Sequence, residues 1–182
     1  MTVFFTADTH FGHSGARTLY RRPFASVAAM DAAMLERWNA VVRPRDDVWH
    51  LGDFAIRQTE AAMAGLLGRL HGRKHLVIGN NDSSLTLGLE GWASVQHYAE
   101  LQIEGASVVL CHYAFRSWRN MSRGWLNLHG HSHGRLRPLP RQADAGVDAW
   151  EFRPVTLAEI SAARRIRAAM PPEDQHLNGR AP

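Results

Sequence analysis

Residues 3–10 read VFFTADTH, a short apolar run of strand length that passes directly into Asp, Thr and His. Four further runs have strand length and strand composition: VWHL (48–51), HLVIG (75–79), SVVLC (107–111) and WLNL (125–128). Aromatic and β-branched residues are enriched in strands because they pack well on a pleated surface. The chain therefore contains at least five predicted strands, and each of them ends in polar residues.

Helices are predicted between and after these strands, from apolar residues that recur every three or four positions. The three predicted helices cover 26–42, 59–71 and 156–170. Ser26 is the expected N-cap of the first, and Thr156 with Glu159 fits a capping box for the last. The early β–α–β order predicts an α/β fold, and the strand-rich later part, with alternating residues 98–103, predicts a second sheet.

The length of 182 residues and a hydrophobic content of 45% suit one domain with a sizeable core. We find no internal repeat and no low-complexity linker, so we predict a single domain over 1–170. The segment PPEDQHLNGRAP (171–182) has no apolar period and is predicted to be a mobile tail.

Composition limits the class of protein. The single cysteine, Cys111, allows neither an intrachain disulfide nor a structural cysteine–zinc site. No run of about 18 apolar residues is present, and Asp8 comes too early for a signal peptide, so we expect a cytoplasmic protein with no membrane partner. A formal charge of +4 and a pI near 10 make a nucleic-acid partner possible, although the arginines are spread along the chain without a block of like charges.

Side chains that can bind metal follow all five strands. The runs lead, in order, to Asp8 and His10; to Asp53; to Asn80, Asn81 and Asp82; to His112; and to His129, His131 and His133. Ligands of α/β sheets bind beyond the carboxyl ends of the strands, where loops converge. Each signal alone has a simpler interpretation, such as a core histidine for His112 or an ordinary turn for 80–82. The five together predict a metal site at one edge of a sheet.

The local spacing adds to this prediction. Residues i and i+2 at a strand end point to the same side, so Asp8 and His10 are expected to face one ion together. His131 and His133 are expected to share a side for the same reason. Glycines at 52, 79, 130 and 134 let the backbone turn sharply and approach a metal closely.

The ordered series Asp8-x-His10, Gly52-Asp53, Gly79-Asn80-Asn81-Asp82, His112 and Gly130-His131-Ser132-His133 resembles the five motifs of the calcineurin-like metallophosphoesterases. The surrounding TADTHFGH, VWHLGDF and HGHSHG resemble a small bacterial branch of predicted phosphoesterases. The resemblance implies an α/β fold in which two mixed β-sheets pack as a sandwich flanked by helices. It also implies metal-dependent cleavage of phosphate esters, by a phosphodiesterase or a phosphatase, with the diesterase slightly favoured.

The same resemblance implies a role for each ligand. Asp8, His10 and His133 would hold a first ion, Asn80, His112 and His131 a second, and Asp53 would bridge both. Two divalent ions about 3.5–4 Å apart activate a shared water, and the hydroxide attacks phosphorus in line. Imidazole, carboxylate and amide ligands suit divalent Mn, Fe, Zn, Co or Ni, and we expect Mn²⁺.

Asn81 departs from the family pattern, which reads Gly-Asn-His-Asp. The family's histidine is thought to protonate the leaving group or stabilise the transition state, and asparagine cannot deliver a proton. Losing a general acid typically costs about 10²–10⁴ in rate. Three explanations stay open: a substrate with a good leaving group, replacement of the acid by His13, or an engineered, weakened variant. Asn81 and His13 are therefore the catalytic candidates.

Other residues are candidates for contacts with substrate. Arg116 is predicted to hold a phosphate oxygen, and His129 to line the pocket. An exposed loop with an anchoring Trp118 is an equal interpretation of the segment around Arg116. Asp148 either orients a ligand imidazole or belongs to a turn. The expected partner is a small phosphate ester or a nucleotide.

Two alternative functions stay open at this point. The first is a nuclease acting on DNA or RNA, with bases stacked on Trp118, Trp125 or Tyr113. The second is a catalytically weakened member of the fold that serves as a binding module, for which Asn81 is the argument. The sequence does not predict the natural substrate or the oligomeric state.

Overall fold

The computed structural model describes residues 1–137 and 139–169. Its strands are β1 (Val3–Thr6), β2 (Asp47–His50), β3 (Arg73–Val77), β4 (Trp92–Gln96), β5 (Ala99–Ile103), β6 (Ala106–Leu110), β7 (Leu126–His129), β8 (Gln142–Asp144) and β9 (Val155–Thr156). Its α-helices are α1 (Ala16–Leu19), α2 (Val27–Val41), α3 (Glu60–Arg69), α4 (Ser84–Leu87) and α5 (Leu157–Ala169). The predicted tail at 171–182 lies outside the described residues.

The strands form two mixed sheets. The first has the order β4-β3-β2-β1-β9, in which β1 to β4 are parallel and β9 is antiparallel to β1. The second has the order β5-β6-β7-β8, in which β5 is antiparallel to β6 and the other pairs are parallel. Parallel neighbours end at the same edge, so each sheet directs several loops to one side.

Two hydrophobic clusters hold these layers together. Phe5, Leu51 and Val77 of the first sheet pack with Val108 and Leu128 of the second, so one core lies between the sheets. The opposite face of the first sheet is covered by α2 and α3 through a second cluster that includes Met34, Trp38, Val48, Met63 and Leu76. The predicted α/β fold, with two mixed sheets and flanking helices, is confirmed.

The helix caps follow the sequence closely. The side chain of Ser26 accepts a hydrogen bond from Ala29 N at 3.0 Å, which caps α2. At the start of α5, Glu159 N donates to Thr156 Oγ1 at 3.2 Å, and Thr156 N donates back to Glu159 Oε2 at 2.8 Å. This reciprocal pair is the predicted capping box.

The five predicted strands are all present, with bounds shifted by one or two residues, and the alternating residues 98–103 form β5. Three further strands, β4, β8 and β9, were not predicted. The last two have only three and two residues, which is too short for an alternating pattern to register. Within the described part of the chain, no helix has the length and apolarity that a membrane crossing requires.

Candidate metal centre

The seven predicted ligands lie together beyond the carboxyl ends of the strands. Two groups of donor atoms each lie within 4.8 Å of one another: Asp8, His10 and His133, and Asp8, Asp53 and His112. Asn80 joins the second group, since its Oδ1 lies 3.0 Å from His112 Nε2. The His131 ring lies 5.1 Å from that of His112. The site therefore has two halves.

Asp53 lies between these halves. Its Oδ2 is 3.5 Å from His10 Nε2, and its Oδ1 is 3.7 Å from His112 Nε2. Its side chain is only 2% exposed, so the carboxylate is shielded from bulk water. This position is the one that a bridging carboxylate needs, while Asp8 is also shared between the two donor groups.

The backbone at the ligands is left-handed rather than extended. φ is positive at five of the seven predicted ligands: Asp8 (56°), His10 (49°), Asp53 (61°), His131 (66°) and His133 (49°). Non-glycine residues adopt this region rarely, at a cost of about 1–2 kcal/mol each. Clusters of such residues mark functional sites in which the surrounding structure enforces the conformation.

This backbone changes the reason why the ligands converge. The donor atoms of Asp8 and His10 do lie within 4.8 Å of each other, but a left-handed backbone brings them together rather than the alternation of an extended strand. For His131 and His133 the expectation of a shared side is wrong. The His131 ring lies by His112, whereas the His133 ring lies 5.3 Å from that of His10. The two left-handed residues direct their rings to different halves of the site.

The absence of a side chain at Gly79 lets Asp53 lie close to the backbone at position 79. A Cβ atom at position 79 would lie 2.3 Å from Asp53 Oδ1 and 2.6 Å from Asp53 N. Both distances are far shorter than van der Waals contact, so any side chain here would displace the carboxylate. Gly52 is similarly constrained, with φ of 94° and a Cβ position 2.6 Å from His112 Nδ1.

Hydrogen bonds fix the tautomers of two histidines. His112 Nδ1 lies 2.8 Å from the Leu51 carbonyl, which can only accept, so this nitrogen carries the proton. The lone pair of Nε2 then faces two further acceptors, Asn80 Oδ1 and Asp53 Oδ1. In the other half, His133 Nδ1 donates to Asp148 Oδ2 at 2.7 Å. Each ring thus keeps its other nitrogen free as a ligand.

Three buried atoms that could bind a metal ion have no hydrogen-bond partner among the described residues. They are Asp8 Oδ1 and both ring nitrogens of His10, and both side chains are fully buried. A buried polar atom without a partner costs about 1–3 kcal/mol. Asp8 Oδ1 and one ring nitrogen of a neutral His10 are acceptors, and unpartnered acceptors that converge with a second carboxylate fit a cation. The residues present therefore suit divalent metal ions.

Charge and burial support the same interpretation. Burial, followed by repulsion from Asp144 and Asp53, raises the pKa of Asp8 well above its usual value. Burial, together with the nearby Arg22 cation, lowers the pKa of His10 to about 2. Partial desolvation and the neighbouring His112 also lower the pKa of His131. His10 and His131 are therefore mainly neutral at physiological pH, which is the form that binds metal.

The comparison with known proteins agrees with this geometry. The sequence profile of the calcineurin-like phosphoesterase superfamily domain matches residues 1–148. The chain belongs to the calcineurin-like phosphoesterase superfamily. Its membership supports phosphoesterase activity, and the two donor groups are candidate sites for the divalent metals that the family generally binds.

Relatives of this superfamily member occur in phages and archaea. The gene 66 protein of Mycobacterium phage D29 is 32% identical over 180 residues, covering 81% of this chain and 88% of the phage protein. The uncharacterized protein MJ1445 of Methanocaldococcus jannaschii is 28% identical over 163 residues, covering 85% and 86%. Among solved structures, the protein of unknown function AQ665 from Aquifex aeolicus has a TM-score of 0.72 at 23% identity, covering 88% of this chain and 98% of its own. That likeness shows the fold.

Asn81, which stands at the departure from the superfamily pattern, contacts the bridging position directly. Its backbone N donates to Asp53 Oδ1 at 2.8 Å, and its Nδ2 donates to Asp53 Oδ2 at 2.6 Å. Asp82 supports the adjacent backbone, because its carboxylate accepts from the N–H groups of Asp53, Phe54 and Gly79. In this structure Asn81 holds the Asp53 carboxylate in place, and the catalytic role of Asn81 stays a prediction.

His13 lies beside the first half of the site. Its ring centroid is 5.5 Å from that of His10, and its Nδ1 is buried with no hydrogen-bond partner among the described residues. Desolvation, followed by the Arg57 and Arg22 cations, lowers the pKa of His13. The imidazole is therefore mainly neutral at pH 7.

The two predicted substrate contacts, Arg116 and His129, differ in exposure. Arg116 is exposed, in the loop after β6. Trp118 is only 9% exposed and donates from Nε1 to the Trp125 carbonyl at 2.9 Å, so it anchors that loop. His129 is 2% exposed, and its Nδ1 contacts the Gly130 carbonyl at 2.8 Å. Substrate contacts by Arg116 and His129 stay predictions.

Sequence reasoning missed three residues that support the ligands. Arg22 contacts the backbone of the first motif, and the Tyr20 ring stacks on that of His133 with centroids 3.5 Å apart. Asp144 accepts hydrogen bonds from Ser132 Oγ and Gly134 N, which holds the turn that carries His133. Arg22 and Tyr20 lie between motifs with no local pattern to mark them, whereas Asp148 was recognised as a possible partner of an imidazole.

Proposed function

We propose that the chain is a dinuclear metal-dependent hydrolase that cleaves phosphate esters at this site. The observation that carries the proposal is the pair of adjacent, buried donor groups that share Asp8 and leave acceptor atoms facing one another. Membership of the superfamily supports the reaction class.

The proposed ligand sets follow the two halves of the site. Asp8, His10 and His133 would hold the first ion, Asn80, His112 and His131 the second, and Asp53 would bridge them. The ions would lower the pKa of a shared water and neutralise charge on the phosphoryl oxygens. Mn²⁺ is the proposed metal, because imidazole and oxygen ligands suit it and its neighbours.

The protein's own residues orient this chemistry. The Leu51 carbonyl and the Asp148 carboxylate hold His112 and His133 in the tautomers that leave Nε2 free. Asn81 holds both oxygens of Asp53. These contacts fix the ligands before substrate arrives, so little reorganisation is needed during the reaction.

Substrate is proposed to approach from the side of the second half of the site. Asn80, Asn81 and His131 are exposed there, whereas Asp8, His10 and His112 are fully buried. Exposed ligands leave room for groups on both sides of phosphorus, which favours a diester over a monoester. The proposed partner is a small phosphate ester or nucleotide, and a cytoplasmic location stays a prediction of the sequence.

One observation keeps the nuclease as a second candidate. Tyr113 is 47% exposed, and its ring centroid lies 4.7 Å from that of His131, so a base can stack beside the second half. Polynucleotide binding that weakens steeply with salt, together with loss of nuclease activity in Tyr113→Ala, would favour this candidate.

The test combines metal stoichiometry with hydrolysis. Wild-type protein is titrated with Mn²⁺ and assayed on bis-p-nitrophenyl phosphate and p-nitrophenyl phosphate. Asp53→Ala is compared with Asp47→Ala, which removes a buried carboxylate from the opposite end of β2, where it pairs with Arg73. We expect two ions and hydrolysis in wild type and in Asp47→Ala, and neither in Asp53→Ala.

The contrary outcomes are distinct. A folded wild-type protein that binds no divalent ion overturns the metal centre and leaves the binding module as the function. Two bound ions without hydrolysis of any phosphate ester overturn the catalytic proposal alone. If Asp53→Ala binds both ions and still hydrolyses the esters, the reaction does not need Asp53 as a bridging ligand.

A further inference from the structure

Arg22 is a fully buried cation beside the candidate metal centre. Its side chain is 0% exposed, although arginine is almost never fully buried without a partner. Its guanidinium pairs with Asp148 through two bonds, Nε to Oδ1 and Nη2 to Oδ2, both at 2.8 Å. A buried charge is tolerated only when it is paired and hydrogen-bonded, so this contact is a specific feature of the fold.

The same guanidinium binds the backbone of the first motif. Nη2 donates to the Asp8 carbonyl at 2.6 Å, and Nη1 donates to the Thr9 carbonyl at 2.8 Å. These carbonyls belong to the left-handed turn that directs Asp8 and His10 into the site. Because that conformation is unfavourable by itself, bonds to a fixed cation help to hold it.

Asp148 extends the contact to the other side of the first half. Its Oδ2 accepts from His133 Nδ1 at 2.7 Å while it also accepts from Arg22. Burial opposes ionisation of this carboxyl, but hydrogen bonds from His133 and Arg22 hold its pKa below the usual value. Arg22 therefore reaches all three residues of one donor group: Asp8 and His10 through the backbone, and His133 through Asp148.

The second half of the site is supported by other residues. His112 is held by the Leu51 carbonyl, and Asp53 by Asn81. The backbone at Asp53 and Gly79 is held by Asp82. Among the described residues, Arg22 has no hydrogen bond to Asp53, Asn80, His112 or His131, so the two halves have separate supports apart from Asp8, which both donor groups share.

We propose that Arg22, acting through Asp148 and through the Asp8 and Thr9 carbonyls, is the positioning residue of the first metal half-site. It does not touch the ion or the substrate. Its role rests on the proposed function only in that the half-site binds metal. Removing a residue that orients ligands costs about 10–100-fold in metal affinity.

The test is ion-by-ion titration of the purified full-length chain with Mn²⁺. Arg22→Lys keeps the charge but cannot form the fork to Asp148, and Asp148→Asn weakens the same contact if Arg22→Lys folds poorly. Arg73→Gln is the matched control, because Arg73 makes an equivalent two-bond pair with Asp47 away from the site. The isotherms of His133→Ala and His112→Ala identify which ion is lost.

We expect Arg22→Lys and Asp148→Asn to lower the affinity for one Mn²⁺ ion by about 10–100-fold and to leave the affinity for the other ion unchanged. The affected ion should be the one whose binding is lost in the isotherm of His133→Ala. Arg73→Gln should leave both affinities unchanged. The inference is overturned if both ions bind Arg22→Lys as tightly as wild type, or if both weaken equally.

A metal-free measurement separates this inference from the proposed function. Nitrogen-15 NMR of the side chains reports the tautomer of His133, which the contact with Asp148 fixes with the proton on Nδ1. We expect Arg22→Lys to give a mixture of tautomers. If wild type binds no ion, the proposed function fails, while the tautomer still decides whether Arg22 positions His133. An unchanged tautomer overturns the inference.

Discussion

Asn81 donates to both carboxylate oxygens of Asp53, from its backbone N at 2.8 Å and from its side-chain Nδ2 at 2.6 Å. The residue at the family's usual histidine position thus holds the carboxylate that lies between the two halves of the site. A bond from Nδ2 orients Asp53 without carrying a proton to the leaving group.

This contact makes Asn81→Ala informative. The change removes the Nδ2 donor but keeps the hydrogen bond from the backbone N. The Asp53 carboxylate should then rotate more freely while it stays between the two halves of the site. We expect affinity for the Mn²⁺ ions to fall by about 10-fold, measured by titration calorimetry.

The control for that measurement is Asn39→Ala. Asn39 also makes two hydrogen bonds, to the Arg69 carbonyl and from His71 N, but away from the metal centre. Its replacement should lower thermal stability and leave metal affinity unchanged. Equal metal affinity in Asn81→Ala and wild type would contradict the role of the side chain.

Gly79→Ala tests the close approach of backbone and carboxylate. The added methyl group would lie 2.3 Å from Asp53 Oδ1, so Asp53 must move out of its position between His10 and His112. We expect loss of metal binding by a protein that still folds, measured by titration and by far-UV circular dichroism.

Gly65→Ala is the matched change in α3, where an added Cβ meets no atom within 4 Å. It should raise the free energy of unfolding by about 0.5–1 kcal/mol, because alanine loses less entropy in a helix than glycine. Normal metal binding by Gly79→Ala would show that Asp53 can shift without effect.

His13→Gln distinguishes two explanations of Asn81: a substrate with a good leaving group, and replacement of the general acid by His13. If His13 supplies the proton, the variant should hydrolyse an alkyl phosphoester about 10²-fold more slowly and p-nitrophenyl esters at the wild-type rate. The reason is that an alkoxide needs a proton to leave, whereas p-nitrophenolate does not. Metal affinity should be unchanged, since His13 is outside both donor groups. Equal rates on the alkyl ester would remove His13 as the acid.

The lowered pKa of the buried His50 allows a prediction of how the stability of the metal-free chain depends on pH. Burial lowers the pKa of His50 to about 3, from 6.5 for the free side chain. Between these values the unfolded chain binds a proton that the folded chain does not. The free energy of unfolding should therefore fall as the pH falls from 6.5 towards 3, by about 1.4 kcal/mol per unit for this group.

Urea denaturation at pH 7, 6, 5 and 4 measures this slope. His50→Phe removes the titrating group, while Thr9 Oγ1 keeps its hydrogen bond to the Phe54 carbonyl. The variant should lose less stability than wild type between pH 6.5 and 4, each relative to its own value at pH 7. Identical slopes would mean that the buried imidazole does not resist protonation.

The sequence predicted that these side chains converge, because strand ends are local features. Asp8, Asp53 and His112 each follow an apolar run, and parallel strands bring such ends to one edge. Periodicity and capping residues likewise predicted α2, α3 and α5. What a short window contains could be inferred without the structure.

Contacts between distant segments were beyond that reasoning. Arg22 and Asp148 are 126 residues apart, and neither stands in a pattern that names the other. His131 and His133 contact different halves of the site and both have a left-handed backbone, which a rule for extended strands does not describe. Hydrogen bonds from elsewhere in the fold determine these conformations.

The left-handed backbone at the predicted ligands lowers stability at positions whose side chains are proposed to be needed for activity. At positions such as His131, where φ is 66°, glycine would adopt the backbone conformation at lower cost than the histidine that is proposed to bind metal. In a library screened for heat resistance alone, glycine should accumulate at these positions and metal binding should disappear while the fold improves. In a library screened for hydrolysis, aspartate and histidine should be retained there despite their cost.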